Sequence, residues 1–368
     1  MSETSAPAQV PAHAPQTVLP PDRTARRRER ADAQRAKNTE RGPIFPSTVP
    51  WLAVVVFVAI SIGGAWLVAL PLWTSGEGLM HPLFTLIALA MMYTPALATL
   101  VVVLWVRRPP NIPRFLGLSP IRPAGRTWLF IAVGAVGFWV LAYASMLLGQ
   151  AMGLIRLDLT GVSAITATIE ATGAPAVAPV DVSVIVLVNL ITLPFITVVN
   201  CFAAFGEEVG WRGWLLPALR PLGTWPALLI SGAIWGVWHA PLILLGYNYQ
   251  RSDLAGVGFM VVFCVLVGIL IGWLRLRSAS VWPAVVAHAA LNTAVSAFLI
   301  FVDARDLPAG PWGSLLGWPG WILLALAAVV LLVTGQFRKQ PAPGLTLAEA
   351  AQPTAPEHSA DAAVPRAG

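Results

Sequence analysis

Apolar runs about as long as a bilayer is thick recur along this chain, separated by short stretches where arginine, proline and glycine gather. A helix needs roughly 20 apolar residues to cross the hydrocarbon core. On that criterion the pattern predicts eight crossings, near 50–73, 81–106, 127–148, 182–216, 226–246, 255–274, 280–300 and 314–334. The expected fold class is all-α, a polytopic transmembrane helical bundle over 49–335 with polar, disordered tails at 1–48 and 336–368. The stretch 182–216 is too long for one straight crossing, and Pro194 is the expected kink or break. The first span exceeds a signal-peptide core and no small-residue cleavage site follows it, so it reads as an uncleaved anchor.

Composition strengthens the membrane reading. The chain is 57% hydrophobic and 11% charged, with a mean hydropathy of +0.73, which excludes an ordinary soluble domain. Charge then gives direction, because Lys and Arg stay on the cytoplasmic side. Arg107, Arg108, Arg114, Arg122 and Arg126 follow the second span, Arg220 the fourth, Arg275 and Arg277 the sixth, and Arg338 and Lys339 the last. The alternate loops hold Arg156, Arg251 and Arg305, each near an acid. Both termini are therefore expected in the cytoplasm. The charge pattern and the high Ala, Pro and Arg usage suggest a bacterial plasma membrane.

The N-terminal tail carries a basic cluster between Arg23 and Arg41, which reads as a contact for anionic lipid. Such charge would also suit nucleic acid, but no folded reader stands beside it, so no nucleic-acid partner is expected. Cys201 and Cys264 fall inside spans without CxxC spacing and read as small apolar residues rather than a disulfide or metal pair.

The candidate chemistry lies in the few polar residues that interrupt the spans. A charge at mid-membrane costs about 2.5–3.5 kcal/mol on the insertion scale, so such residues face a protein interior and are functional candidates. Within 182–216 stand Glu207, Glu208 and Arg212. Glu208 and Arg212 are four apart with the acid first, the order that pairs along a helix. That leaves Glu207 as the carboxylate without an obvious partner, suited to general acid–base work. Asn200 shares its face. Gly206 and Gly210 would let another helix approach closely. The next span supplies Trp235 and His239 one turn apart, with Pro241 freeing a backbone carbonyl. The span at 280–300 supplies His288 and Asn292 on one face. Each feature alone has a plain structural reading: a packing clamp for the charges, an interhelical hydrogen bond for each histidine. Together they bring a carboxylate, two imidazoles and an amide to similar depth. That set could activate a water and stabilise an oxyanion, the minimum for hydrolysing an amide.

The order EExxxR (Glu207, Glu208, Arg212), aromatic-xxx-His (Trp235, His239) and HxxxN (His288, Asn292) on successive apolar segments resembles the CAAX protease and bacteriocin-processing (CPBP, or Abi) family of intramembrane proteases. The likeness covers about 182–300 and departs at Trp235, where the family usually has Phe. The resemblance implies an intramembrane endopeptidase acting on a membrane-embedded or membrane-anchored peptide. It implies that Glu207 with His239 activates the water, that His288 and Asn292 form the oxyanion site, and that Glu208 and Arg212 give structural support. Metal use stays open. No HExxH zinc signature is present, while Glu207, His239 and His288 could supply a zinc site of two histidines and a carboxylate. Two other readings stand beside the protease: a proton- or cation-coupled transporter, which would call for inverted repeats, and a non-catalytic scaffold or immunity protein of the same fold.

Overall fold

The apolar segments fold into α1 (Trp51–Thr74), α2 (Phe84–Val106), α3 (Ala124–Ala151), α4 (Val182–Glu208), α5 (Thr224–Trp238), α6 (Leu254–Ser278), α7 (Trp282–Ala297) and α8 (Trp318–Val333) in a computed structural model. It describes residues 45–119, 121, 124–160, 163, 164, 167, 182–305 and 310–338, besides Glu29 and Arg30. The chain divides into two units, Met1–Glu40 and Arg41–Gly368. The tails expected over 1–48 and 336–368 lie for the most part outside the described residues.

Five runs among the described residues are long and apolar enough to cross a membrane: α1, α2, α3, Ile191–Leu222, which carries the second half of α4 onward, and α6. The protein is thus a multi-pass membrane protein. Helix α8 is apolar but shorter, and α5 and α7 have 15 and 16 residues. The eight crossings read from the sequence therefore correspond to five full-length spans and three shorter helices. Helix α5 falls short because the chain turns at His239 before a further turn at Ala240–Ile243, where Pro241 has no N–H to continue the ladder.

Lipid takes the place of water outside the bundle. Phe195 and Phe202 on α4 are 70% and 72% exposed, while Glu207, Glu208, Arg212 and His288 are buried. The hydrophobic pattern alone does not separate the faces of such helices; the polar residues do.

Helix α4 continues through Pro194, so the expected break is not there. The departure from α-geometry comes immediately after the two glutamates, where Val209–Leu215 forms a π-helical wide turn. Such turns insert into α-helices and recur at functional sites. Close packing on α2 accompanies this one. Gly206 lies against the Met92 carbonyl, which an added Cβ would meet at 2.7 Å, and Gly210 lies on Pro95 with no room for a Cβ at all. The close approach expected of these two glycines is present, with α2 as the neighbour. Helix α7 packs against both α3 and α4, and α5 runs along α6, so α4, α5 and α7 surround one interior space.

The connections sort to two ends of the bundle. At one end Arg275 donates from Nη2 to the Phe115 carbonyl at 3.0 Å, Val281 N–H donates to Gly117 O at 2.9 Å, and the Trp225 and Phe337 rings meet at 4.8 Å. At the other end Tyr249 Oη donates to Leu316 O at 3.2 Å, the Phe84 ring meets Tyr247 at 5.5 Å, and Asp303 N–H donates to Arg156 O at 3.0 Å.

Candidate active site

The last turn of α4 carries both glutamates, and their side chains part into two networks. Glu208 Oε1 accepts from Arg212 Nη1 at 2.7 Å and from His288 Nδ1 at 2.9 Å. The helical pair read from the four-residue spacing is therefore present, and α7 joins it through His288. The Arg212 guanidinium also lies over the Trp235 ring, 4.3 Å from its centroid, so α5 closes the same cluster by a cation–π contact. Two buried donor groups on one carboxylate oxygen fix the rotamer of Glu208.

Glu207 turns the other way, into a cavity. It was expected to stand without a partner, and here the structure differs: its Oε2 accepts from Trp235 Nε1 at 2.6 Å and from Trp211 Nε1 at 3.4 Å. Trp211 is four residues on, so its contact could have been read from helical spacing. Trp235 comes from α5 and could not. The physical reason for the difference is that an indole is an aromatic body with a donor at its edge. Treating Trp235 as equivalent to phenylalanine overlooks that donor.

His239 sits at the turn that ends α5, and its Nδ1 lies 2.9 Å from the Trp235 carbonyl. A carbonyl oxygen only accepts, so Nδ1 carries the proton and Nε2 of the neutral ring keeps its lone pair. Because Nδ1 of His288 is likewise held by a carboxylate, its Nε2 is the remaining polar atom of that ring. Asn200 Nδ2 donates to Thr293 Oγ1 at 2.9 Å and ties α4 to α7 beside Asn292.

Glu207, His239, His288 and Asn292 line one cavity of about 290 Å³, together with Asn200 and Trp235. Apart from Tyr247 and Asn248, the remaining wall is mostly apolar. Cys264 belongs to that wall, with its sulfur 3.9 Å from His239 Nδ1 and 3.6 Å from Met260 Sδ; neither cysteine is in a disulfide. Glu208 and Arg212 stay behind the wall. All six residues singled out in the sequence are thus in one neighbourhood, four on the cavity and two supporting it. Sequence reasoning missed Arg275. Its position before a short loop reads as a topology marker, yet it is buried and donates from Nε to the Arg212 carbonyl at 3.1 Å.

Among the described residues, no three His, Cys, Asp or Glu side chains stand together at metal-binding spacing. The Nδ1 atoms of both histidines and Oε2 of Glu207 already have protein partners.

The sequence carries the same signal when compared with known proteins. Residues 189–294 match the family of type II CAAX prenyl endopeptidases, Rce1-like. A CAAX prenyl protease 2 of Methanococcus maripaludis is 28% identical over 137 residues, which covers 35% of this chain and 46% of that protein. The chain spans about half the length of the curated relative it matches. The matched segment runs from α4 to α7 and contains every polar side chain of the cavity. Over that segment the chain is similar to the CAAX protease family, as the order of its motifs implies.

Proposed function

We propose that this protein is an intramembrane endopeptidase that hydrolyses a peptide bond of a membrane-embedded or membrane-anchored polypeptide. The observation that carries the reading is the convergence of Glu207, His239, His288 and Asn292 from three helices on one cavity inside an apolar bundle. Glu207 acts as general base. It takes a proton from a water that His239 orients through its Nε2 lone pair, and it returns the proton to the leaving amine. His288 and Asn292 donate to the oxyanion that forms on the scissile carbonyl. In this role His288 is an imidazolium whose Nδ1–H donates to the Glu208 carboxylate and whose Nε2–H is the donor left for the oxyanion. Arg212 holds Glu208 for that purpose.

The protein resides in the plasma membrane with both termini in the cytoplasm, where the basic N-terminal tail meets anionic lipid. No nucleic acid takes part.

The test compares detergent-purified wild type with Glu207→Ala on a fluorogenic peptide library, with bound metal measured on the same samples. Removing a general base lowers turnover by about 10²–10⁴-fold, and we expect a loss in that range with an unchanged melting profile. Equal cleavage by both proteins would refute the reading. Loss of wild-type activity on chelation, restored by zinc, would assign a metal to the site.

A further inference from the structure

A second pocket, also of about 290 Å³, shares no lining residue with the cavity that holds Glu207. Arg107 and Arg108 line it and are exposed, whereas Phe115 and Trp214, which line it too, are buried. The arginines therefore stand at its mouth and the rings at its base. Pro46, Pro50, Pro109 and Pro110 complete much of the wall. A proline ring fixes φ, so these walls are stiff and little ordering is needed to fill the pocket.

Two spans end beside it. Helix α1 starts at Trp51, directly after Pro50, and α2 ends at Val106, directly before Arg107. Leu52 and Trp105, on the last turns of these spans, are each 73% exposed. An apolar outer face that carries tryptophan and stops at two arginines marks the level of the lipid headgroups. Acyl chains can lie against Leu52 and Trp105 while the headgroup reaches the pocket.

The charge around the pocket has one sign. Every lining residue comes from 41–76, 107–123 or 209–223, and none of these segments contains an acid. Among the described residues no ion pair involves Arg107 or Arg108. Arg220 adds a third cation behind the wall. It is buried, lies over the Phe45 ring at 5.3 Å from its centroid, and donates from Nη1 to Thr224 Oγ1 at 3.0 Å. Its Nε has no hydrogen-bond partner among the described residues. A phosphodiester offers what two guanidiniums take: a negative charge on two acceptor oxygens. The ammonium of a zwitterionic headgroup would find no carboxylate there.

We propose that this pocket binds the phosphate headgroup of an anionic phospholipid, with the acyl chains lying along the outer faces of α1 and α2. The site is folded and separate from the basic N-terminal tail. It does not depend on the protease reading.

The test titrates the full chain, purified in a neutral detergent, with dioctanoyl phosphatidylglycerol, dioctanoyl phosphatidylcholine and glycerol phosphate. Bound ligand is read by native mass spectrometry and by the rise in melting temperature that binding to the folded state produces. Saturable binding of phosphatidylglycerol is expected, with the other two ligands weaker by about tenfold or more. Arg107→Gln with Arg108→Gln should weaken phosphatidylglycerol by about the same factor and leave the lipid-free melting profile unchanged, because both side chains are exposed. Ser47→Trp, which fills the pocket and keeps every charge, should also weaken it. Arg26→Gln with Arg27→Gln removes equal charge from the tail and should leave the affinity as it was.

Equal affinity for the two lipids would overturn the proposal, and so would undiminished binding by the Arg107 and Arg108 pair or by Ser47→Trp. Glycerol phosphate bound as tightly as phosphatidylglycerol would make the ligand a soluble phosphate. A tail pair that cost as much as the pocket pair would show attraction by net charge with no built site.

Discussion

The indole of Trp235 gives the site a feature that the family's usual phenylalanine would lack. At 2.6 Å its N–H is the shorter of the two donors on the Glu207 carboxylate, and it is anchored on a different helix. Hydrogen bonds to charged groups contribute about 1.5–3 kcal/mol. Trp235→Phe keeps the aromatic body over Arg212 and removes only the donor. It should lower kcat/KM by roughly tenfold or more, since about 1.4 kcal/mol corresponds to a factor of ten, with little change in thermal unfolding. Trp211→Phe, which removes the 3.4 Å contact, should have the smaller effect. A Trp235→Phe enzyme as active as wild type would show that the carboxylate is positioned by its own helix alone. Arg212 answers to a different measurement. Its removal leaves Glu208 buried with His288 as its one remaining hydrogen-bond partner, and breaking a buried pair costs about 3–5 kcal/mol. Arg212→Met should therefore lose stability in detergent unfolding, and Glu208→Gln with Arg212→Met should recover part of it.

At the scale of helices, spacing made part of this site legible and concealed the rest. The i,i+4 arithmetic places Glu208 against Arg212 and His288 beside Asn292 because those relations live within one helix, where geometry is fixed by the 3.6-residue repeat. Contacts between helices leave no such trace. Trp235 to Glu207, His288 to Glu208 and Arg275 to the Arg212 carbonyl join segments 28, 80 and 63 residues apart. Pro194 drew attention as a breaker, yet the helix passes through it, and the irregular turn sits at Val209–Leu215, where small residues meet α2. Both glycines are visible in the sequence; the wide turn is not, because it packs on Tyr93 and Pro95 of a distant segment. The consequence can be measured. Gly210→Ala would place a Cβ on the Pro95 ring and carbonyl, and overpacking of this kind costs about 1–3 kcal/mol. The variant should melt earlier and lose activity, because the displaced turn is the one that follows Glu207. Gly63→Ala, with open space around its Cβ, serves as the control and should match wild type.

For the molecule as a whole, the distribution of charge separates two roles that the sequence alone presents together. The basic cluster of Arg23–Arg41 and the arginines between spans look like one cytoplasmic signal. Yet the residues that line the cavity all fall between Ala88 and Leu316, and Met1–Glu40 forms a unit of its own. Orientation is set by Lys and Arg near the ends of the spans, so Arg107, Arg108 and Arg114 between α2 and α3, with Arg126 in the first turn of α3, are expected to be enough to hold it. A chain lacking Met1–Glu40 should therefore keep its turnover of the peptide library and its orientation, read in intact cells as labelling of the exposed Ser252→Cys, and not of the exposed Ser119→Cys, by a membrane-impermeant maleimide. Replacing Arg107, Arg108 and Arg114 by Gln in that truncated chain should make labelling at Ser252→Cys partial and bring Ser119→Cys into view from outside. If the truncation alone inverted the labelling, the tail rather than the loops would be the topological determinant. Turnover in detergent, where both faces are reached, would stay the same in every one of these chains, because the cavity is built by the helices and not by the direction in which they are inserted.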